Sequence, residues 1–436
     1  MTAPTVALAD QGAAAARPVR TARIVTWICW FGLFSEGYDM GALGAVLPGL
    51  LGDRDWNLTP AVASLMASAA LLGMFFGGYG FGVVSDRIGR KRCFIGCLAL
   101  FSLASGAAGI SPSPWLFGVL RFFAGVGVGG IVPVAAALVC EFAPRGGVNR
   151  EFALMYSGYS LGILASALVS FFVLELHGWR LVIGLGALPL LALPAIAWLL
   201  PESAAFLAAR GKRQEAARIA ERFGIEIGSQ SAQPGEGDTA RPGVRALFGP
   251  GRARATLGFW FATFAGMILV YGLNTWLPQI MRDAGYDLGP SILFLGVFAL
   301  ASSVGGILLG WIADRFGRAR TIVLAFTVGA MAILVLAHRW PLPLTYMIVA
   351  VAGVGTVSAA VMVTSYLSQY FPPTLRATAV GSCLSFSRFG AVCGPLVGGV
   401  IASYQLNMAW NFVVFAFAGA LAACSIALVP SEDRTN

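Results

Sequence analysis

The chain has 436 residues, of which 58% are hydrophobic and only 11% charged. Soluble domains carry roughly 25% charged residues, so a soluble globular fold is excluded. The formal net charge of +9 implies no nucleic acid, because the arginines stand where a membrane topology puts them.

Residues 1–20 are Ala-rich, lack a short apolar core with a small-residue cleavage site, and are expected to form a disordered cytoplasmic tail. Apolar stretches that reach the ~20 residues needed to cross the hydrocarbon core then follow one another. The pattern predicts about twelve transmembrane helices, at 24–50, 60–84, 93–111, 115–140, 152–176, 181–200, 255–280, 290–312, 321–338, 343–370, 378–403 and 408–430. We call these spans 1 to 12. With both termini inside, the external connections hold only Arg54, Arg180, Arg282 and Arg339, and the other arginines and both lysines that lie between spans or in the tails fall on the inner side. The positive-inside rule therefore predicts cytoplasmic termini. The seven cysteines fall in spans or at their inner ends and are expected as free thiols. Cys93 and Cys97 have no nearby histidine or second cysteine pair, and no metal is expected.

The chain repeats itself. Gly82-Val-Val-Ser-Asp86-Arg87-Ile-Gly89-Arg90-Lys91 returns as Gly310-Trp-Ile-Ala-Asp314-Arg315-Phe-Gly317-Arg318-Ala319, an offset of 228 residues. The same offset carries Gly125, Gly127, Pro144 and Gly162 onto Gly353, Gly355, Pro372 and Gly390. Two related six-helix bundles are expected, 21–200 and 255–430, with a polar segment 201–254 between them and a short tail 431–436. Within that segment, 202–223 reads as one amphipathic helix on the inner membrane face and 227–243 as a flexible linker.

The repeated loop has a physical logic. Gly89 permits a tight turn, and Asp86 can accept hydrogen bonds from a neighbouring helix N-terminus. The arginines, Arg90 among them, can pair with Glu141 at the inner end of span 4. In the second copy Asp314 and Arg318 are kept, but Gln369 stands where Glu141 stands in the first, which predicts a weaker network. A gating role follows, locking the outward-open state. The plainer reading is a basic loop that obeys the positive-inside rule.

Ionisable groups at bilayer depth cost about 2.5–3.5 kcal/mol each on insertion scales and usually mark function. Glu36 and Asp39 stand three apart in span 1, Arg121 in span 4 and Arg388 in span 11, with Ser387 beside it. Two carboxylates so close cannot both ionise cheaply, which suits a proton carrier, and Asp39, the deeper of the two, is the better candidate for it; a static ion pair with an arginine is the alternative. Arg121 lies about six residues, ~9 Å, into span 4, at a depth compatible with an Asp39–Arg121 pair that protonation would release. Arg388 lies near mid-membrane, and no acid falls in spans 7 to 12 as read above. A substrate carboxylate could partner it bidentately; pairing across the bundles with Glu36 or Asp39 is the alternative. Asn274, Trp276, Tyr38, Tyr159 and Tyr366 offer a hydrogen bond and aromatic surface at similar depth, although each aromatic alone is more often helix packing.

These residues resemble the aromatic acid:proton symporter family of the major facilitator superfamily. The resemblance is carried by Glu36-Gly37-Tyr38-Asp39, the Asp86 loop, Arg121-Phe-Phe-Ala-Gly125-Val-Gly127, Leu200-Pro201-Glu202-Ser203, Asn274-Thr-Trp276-Leu277-Pro278 and Phe371-Pro-Pro-Thr-Leu-Arg376-Ala-Thr. Members typically carry Asp where Glu36 stands, an acid one methylene shorter. The resemblance implies an all-α membrane protein with the major facilitator fold. It implies a proton-coupled importer of a small aromatic carboxylate, benzoate-, hydroxybenzoate- or nicotinate-like, with the proton as coupling ion and no cofactor. A monomer in a bacterial cytoplasmic membrane is expected. Efflux by proton antiport would also use a span 1 acid, but Arg388 disfavours cationic drugs. A sugar porter would share Pro201-Glu202-Ser203, yet has little use for an embedded arginine. No enzyme is expected, since His177 and His338 lie at outer span ends and no nucleophile has a nearby base.

Overall fold

The computed structural model describes residues 9–143, 147–223, 244–249, 252–404 and 409–430, and among them every regular element is a helix. Spans 1 to 4 are Ala9–Leu51, Pro60–Ile88, Arg90–Gly109 and Pro114–Phe142. Spans 5 and 6 run without a loop through Val148–Gly184, Leu185–Ala187 and Pro189–Leu199, and are parted only at Gly178, whose φ of 75° breaks the helix. Spans 7 to 9 are Ala253–Asp283, Leu288–Phe316 and Arg318–Val335. Span 10 comprises Leu342–Gly353, a π-helical turn Val354–Ser358 and Ala359–Tyr370. Spans 11 and 12 are Pro373–Ser403 and Ala409–Ala427.

Ten helical stretches are long and apolar enough to cross a bilayer. One of them, Arg150–Leu199, contains both spans 5 and 6. Span 1 is not among the ten, because its hydropathy is lowered by Glu36 and Asp39. Twelve crossings result among the described residues. Two elements differ from expectation. Span 1 begins at Ala9, inside the segment read as a tail, because its alanine run is a strong helix former; residues 1–8, the linker 227–243 and the tail 431–436 lie outside the described residues. The single helix expected over 202–223 is two, Ala204–Ala209 and Arg213–Phe223, divided by a turn in which Gly211 takes a φ of 76°. The second packs on the first bundle through buried Ala216, Ala220 and Phe223, with Phe223 edge-on to Phe142 at 5.1 Å.

The helix pairing repeats between the halves. Span 1 packs on span 5 and span 2 on span 4; in the second half span 7 packs on span 11 and span 8 on span 10. Close approach depends on small residues, since in lipid no hydrophobic force drives helices together and association rests on packing. A Cβ on Gly37 would overlap the carbonyl oxygen of Tyr159, so span 1 lies directly on the backbone of span 5.

The loops after spans 2 and 8, with the helices of 204–223, define one face, which we call the basic face. The loops after spans 1, 5 and 7 define the opposite face. There the Trp179 indole donates to Asp53 Oδ2 at 2.8 Å, and the Arg180 guanidinium lies 4.4 Å from the Trp179 ring centre and 5.2 Å from that of Trp56. Partial burial acts to raise the Asp53 carboxyl, but the Trp179 bond, two backbone N–H bonds and the Arg180 charge hold it below its usual range.

The named contacts between the bundles lie from mid-membrane towards the opposite face. Gly44 of span 1 abuts the Asn274 carbonyl of span 7, Gly399 of span 11 meets Ser64 of span 2, and Gly296 of span 8 meets Leu164 and Ala167 of span 5. Ser68 Oγ donates to Val392 O at 2.9 Å, and Arg282 Nη1 to Pro48 O at 3.4 Å. The interface thus closes the opposite face, and among the described residues none of these contacts joins the bundles at the basic one. Overpacking a tight helix contact costs about 1–3 kcal/mol. Gly37→Val is therefore expected to lower thermal stability in detergent by that amount, whereas Gly96→Val, at a site with nothing within 4 Å, leaves the melting temperature unchanged.

A charged site between the bundles

Span 1 sends its two carboxylates to different places. Asp39 enters the interior of the first bundle, where Arg121 Nη1 donates to Asp39 Oδ1 at 2.5 Å and Ser105 Oγ donates to the same oxygen at 3.2 Å. The Arg121 side chain is 0% exposed and that of Asp39 3%. The pair inferred from depth is present, and spans 1, 3 and 4 enclose it. Arg121 Nε and Nη2 and Asp39 Oδ2 are buried without a hydrogen-bond partner, so the pair is held by one short charge-assisted bond.

Glu36 lies on the neighbouring face of span 1, which looks across to the second bundle. It is 4% exposed, and its Oε2 has no hydrogen-bond partner. The charges that act on it are Arg388 of span 11 and Asp39. Around Arg388 the structure gathers Tyr156 and Tyr159 of span 5 and Tyr271 of span 7, each within electrostatic reach of both Arg388 and Glu36. Tyr271 thus lies near both Tyr159 of the first half and Arg388 of its own. Arg388 and Tyr271 are half-buried, and Tyr156, one turn nearer the basic face than Tyr159, is 43% exposed. The site therefore sits at the bottom of the gap between the bundles, with Asn274 one turn beyond Tyr271 at the sealed end. Asn274 is 4% exposed, and its Oδ1 is buried without a partner.

Three aromatics expected at this site are committed elsewhere. Tyr38 donates its hydroxyl to Val182 O at 2.9 Å inside the first bundle, because it follows Gly37 on the face turned towards spans 5 and 6. Trp276 is 1% exposed, and its indole donates to Pro395 O at 2.8 Å, which pins span 7 to span 11. Tyr366 packs edge-on to Phe259 at 5.2 Å in the core of the second bundle. Ser387 is buried beside Arg388, and its hydroxyl donates to Leu384 O of its own helix at 2.8 Å. Sequence reasoning passed over Tyr271, Tyr156 and Ser105. The signal for Tyr271 was its place three residues before Asn274, on one helix face; nothing in the sequence distinguished Ser105 from any other serine in a span.

At the basic face Glu141 collects a network. Arg90 Nη1 pairs with Glu141 Oε2 at 2.6 Å, and Ser203 Oγ donates to the same oxygen at 2.6 Å. Ala205 N donates to Glu141 Oε1 at 3.0 Å, so the carboxylate also caps the helix Ala204–Ala209. Glu202 Oε1 accepts from Lys91 N at 3.1 Å and from Ser203 N at 3.0 Å, and Arg210 donates to Arg87 O. Gly89 serves twice: its φ is 101°, and a Cβ there would overlap the Glu202 carboxylate. Asp86 and Asp314 are both exposed, and among the described residues neither takes part in a hydrogen bond or ion pair. In the second half Gln369 turns back to Ser365 O at 3.3 Å, which leaves Arg318 without the partner that Arg90 has, among the described residues. The asymmetry read from Glu141 and Gln369 is thus a fact of the structure.

A twelve-crossing pair of repeated bundles with one charged site between them is the architecture of a membrane transporter. The chain matches the profile of the Major Facilitator Superfamily over residues 29–338 and 291–436, and it belongs to that superfamily. Solved structures agree on the fold. One titled an inward open conformation of the xylose transporter from E. coli matches with a TM-score of 0.74, covering 94% of this chain and 96% of that one at 17% identity.

Its branch is that of the bacterial aromatic acid and niacin transporters. A benzoate transport protein of Acinetobacter baylyi is 32% identical over 412 residues, spanning 92% of this chain and 87% of the relative. A gentisate transporter of Corynebacterium glutamicum is 31% identical, covering 94% and 87%, and a niacin transporter of Acinetobacter baylyi is 30% identical, covering 85% of both.

Hydrogen bonds to a charged group are worth about 1.5–3 kcal/mol. Glu141→Ala should lower thermal stability by roughly that amount and loosen the 204–223 helices to proteolysis. Gln369→Ala should change neither readout.

Proposed function

We propose that this transporter imports a small aromatic carboxylate, benzoate-, hydroxybenzoate- or nicotinate-like, driven by the proton gradient. The observation that carries the reading is the placement of Arg388. It stands half-buried at the bottom of the gap between the bundles, among tyrosine rings, and the acids of its own half among the described residues, Asp283, Asp287 and Asp314, lie at helix ends far along the chain. A guanidinium in such a place accepts a carboxylate bidentately, and Tyr156, Tyr159 and Tyr271 supply surface for a flat ring. That the relatives are named for benzoate, gentisate and niacin supports the same class.

The bacterial relatives support a bacterial cytoplasmic membrane, and the positive-inside rule supports the basic face and both termini in the cytoplasm. The gap between the bundles then opens inward, the state in which an importer releases its cargo. Rocking of one bundle on the other would close it. Asp86 and Asp314, exposed in this state, would find partners when the basic face closes, with the Arg90–Glu141 network holding the loop ready. Each chain holds a complete site and works as a monomer.

The test is uptake of labelled benzoate, 4-hydroxybenzoate, gentisate and nicotinate into proteoliposomes, with and without an inward proton gradient. At least one acid should accumulate, and only with the gradient. Arg388→Ala should reduce uptake by about 10- to 100-fold, the worth of about 1.4–2.8 kcal/mol in charge-assisted bonds. Equal uptake without a gradient would remove proton coupling; normal uptake by Arg388→Ala would remove the anion anchor.

A further inference from the structure

Span 1 offers two carboxylates as proton carriers, and the fold treats them differently. Asp39 already has a permanent cation: Arg121 Nη1 lies 2.5 Å away, the pair is enclosed by helices of one bundle, and its exposure is 3% and 0%. Nothing in a rocking motion of the bundles needs to separate two residues of the same half. Glu36 has no such partner in its own half. The cation that acts on it, Arg388, belongs to the other bundle, and its Oε2 has no hydrogen bond. Buried though it is, it lies within electrostatic reach of the proposed substrate anchor.

We infer that Glu36 alone carries the coupled proton, that it and the substrate carboxylate compete for Arg388, and that transport is therefore electroneutral, one proton with each anion. This deepens the proposed function and rests on it.

The balance of charge at bilayer depth sets which states of the site can change face. An uncompensated charge there costs about 2.5–3.5 kcal/mol or more, so the site changes face readily only when its charges sum to zero. Empty, the ionised Glu36 balances Arg388. When the substrate carboxylate takes Arg388, Glu36 loses its cation and takes up one proton to become a neutral acid. The site then again sums to zero, with the anion on Arg388. Anion without proton leaves the site at minus one, and proton without anion at plus one; both states are held back. On release the anion leaves, the Glu36 O–H bond breaks, the proton passes to water on the basic-face side, and Glu36 returns to Arg388. The Asp39–Arg121 pair sums to zero throughout and takes no part.

The groups that face Glu36 allow this. Span 5 brings Tyr156 and Tyr159, span 7 Tyr271 and span 11 Arg388, while Asp39 on its own helix is turned to Arg121 of span 4 and Ser105 of span 3. The tyrosines are neutral, so Arg388 is the one cation that faces Glu36 among the described residues. Exposed Tyr156 marks the side from which water reaches the group.

The experiment uses the full chain in proteoliposomes, with benzoate, 4-hydroxybenzoate, gentisate and nicotinate as probes. One proton per anion means that a pH difference of one unit supports a tenfold accumulation, and that an imposed potassium–valinomycin potential at equal pH supports none. Glu36→Gln leaves the empty site at plus one and the loaded site at zero. Net uptake should fall at least tenfold while exchange of internal for external substrate persists. Asp39→Asn should lose both together, since it strands Arg121. Accumulation driven by the potential alone would overturn the inference and leave the proposed function standing. So would loss of net uptake with retained exchange in Asp39→Asn rather than in Glu36→Gln. Should Glu36→Gln fail to insert, the wild-type response to potential decides alone. If the wild type moves none of the acids under any gradient, the substrate reading falls and this inference with it.

Discussion

The buried pair between Asp39 and Arg121 is the constraint around which the first bundle is arranged. A guanidinium with no exposure cannot exist in a greasy interior unless an anion meets it, and removing one partner of such a pair is far more costly than the pair itself is stabilising. Spans 1, 3 and 4 must therefore hold their relative heights to within the reach of one hydrogen bond. With Asp39 so placed, the phase of span 1 is set, and Glu36, about a turn away, is carried onto the neighbouring face. The site between the bundles exists because the site within the bundle does.

The same phase explains the division between the halves. The first bundle supplies Glu36, Tyr156 and Tyr159, and the second supplies Arg388 and Tyr271. Neither half alone balances the charges at the interface, although each has its own apolar core. A pseudo-symmetric scaffold built twice from one pattern thus carries an asymmetric site, with Ser160 standing where the repeat would put Arg388 in the first half. The basic-face network is asymmetric in the same sense, because Glu141 binds three donors and Gln369 only its own helix.

Most of the architecture could be read in advance. Apolar length and the 228-residue offset are coarse signals that survive errors of several residues, and so the spans, the repeat and the Arg90–Glu141 pairing were legible. So was the Asp39–Arg121 pair, from depth alone. Which face each side chain takes was not. Residues three apart share a broad face of a helix, yet at the boundary between two bundles that face divides, and Asp39 falls on one side and Glu36 on the other. Aromatic residues were equally ambiguous: Trp276 and Tyr271 sit five residues apart in one span, and only packing decides that the first spends its N–H on Pro395 while the second turns to Arg388. The single helix expected over 202–223 missed a break because glycine in an amphipathic pattern carries no mark of its sign of φ.

The seal at the opposite face has a consequence of its own. Gly44 against the Asn274 carbonyl and Gly296 against Leu164 and Ala167 are contacts of bare backbone and methyl groups, supported by two hydrogen bonds to carbonyls. No ion pair bolts this door among the described residues. Ionic strength should have little grip on its opening, whereas anything that squeezes or thins the surrounding lipid should shift it, so the membrane itself becomes a participant in how fast the transporter turns over.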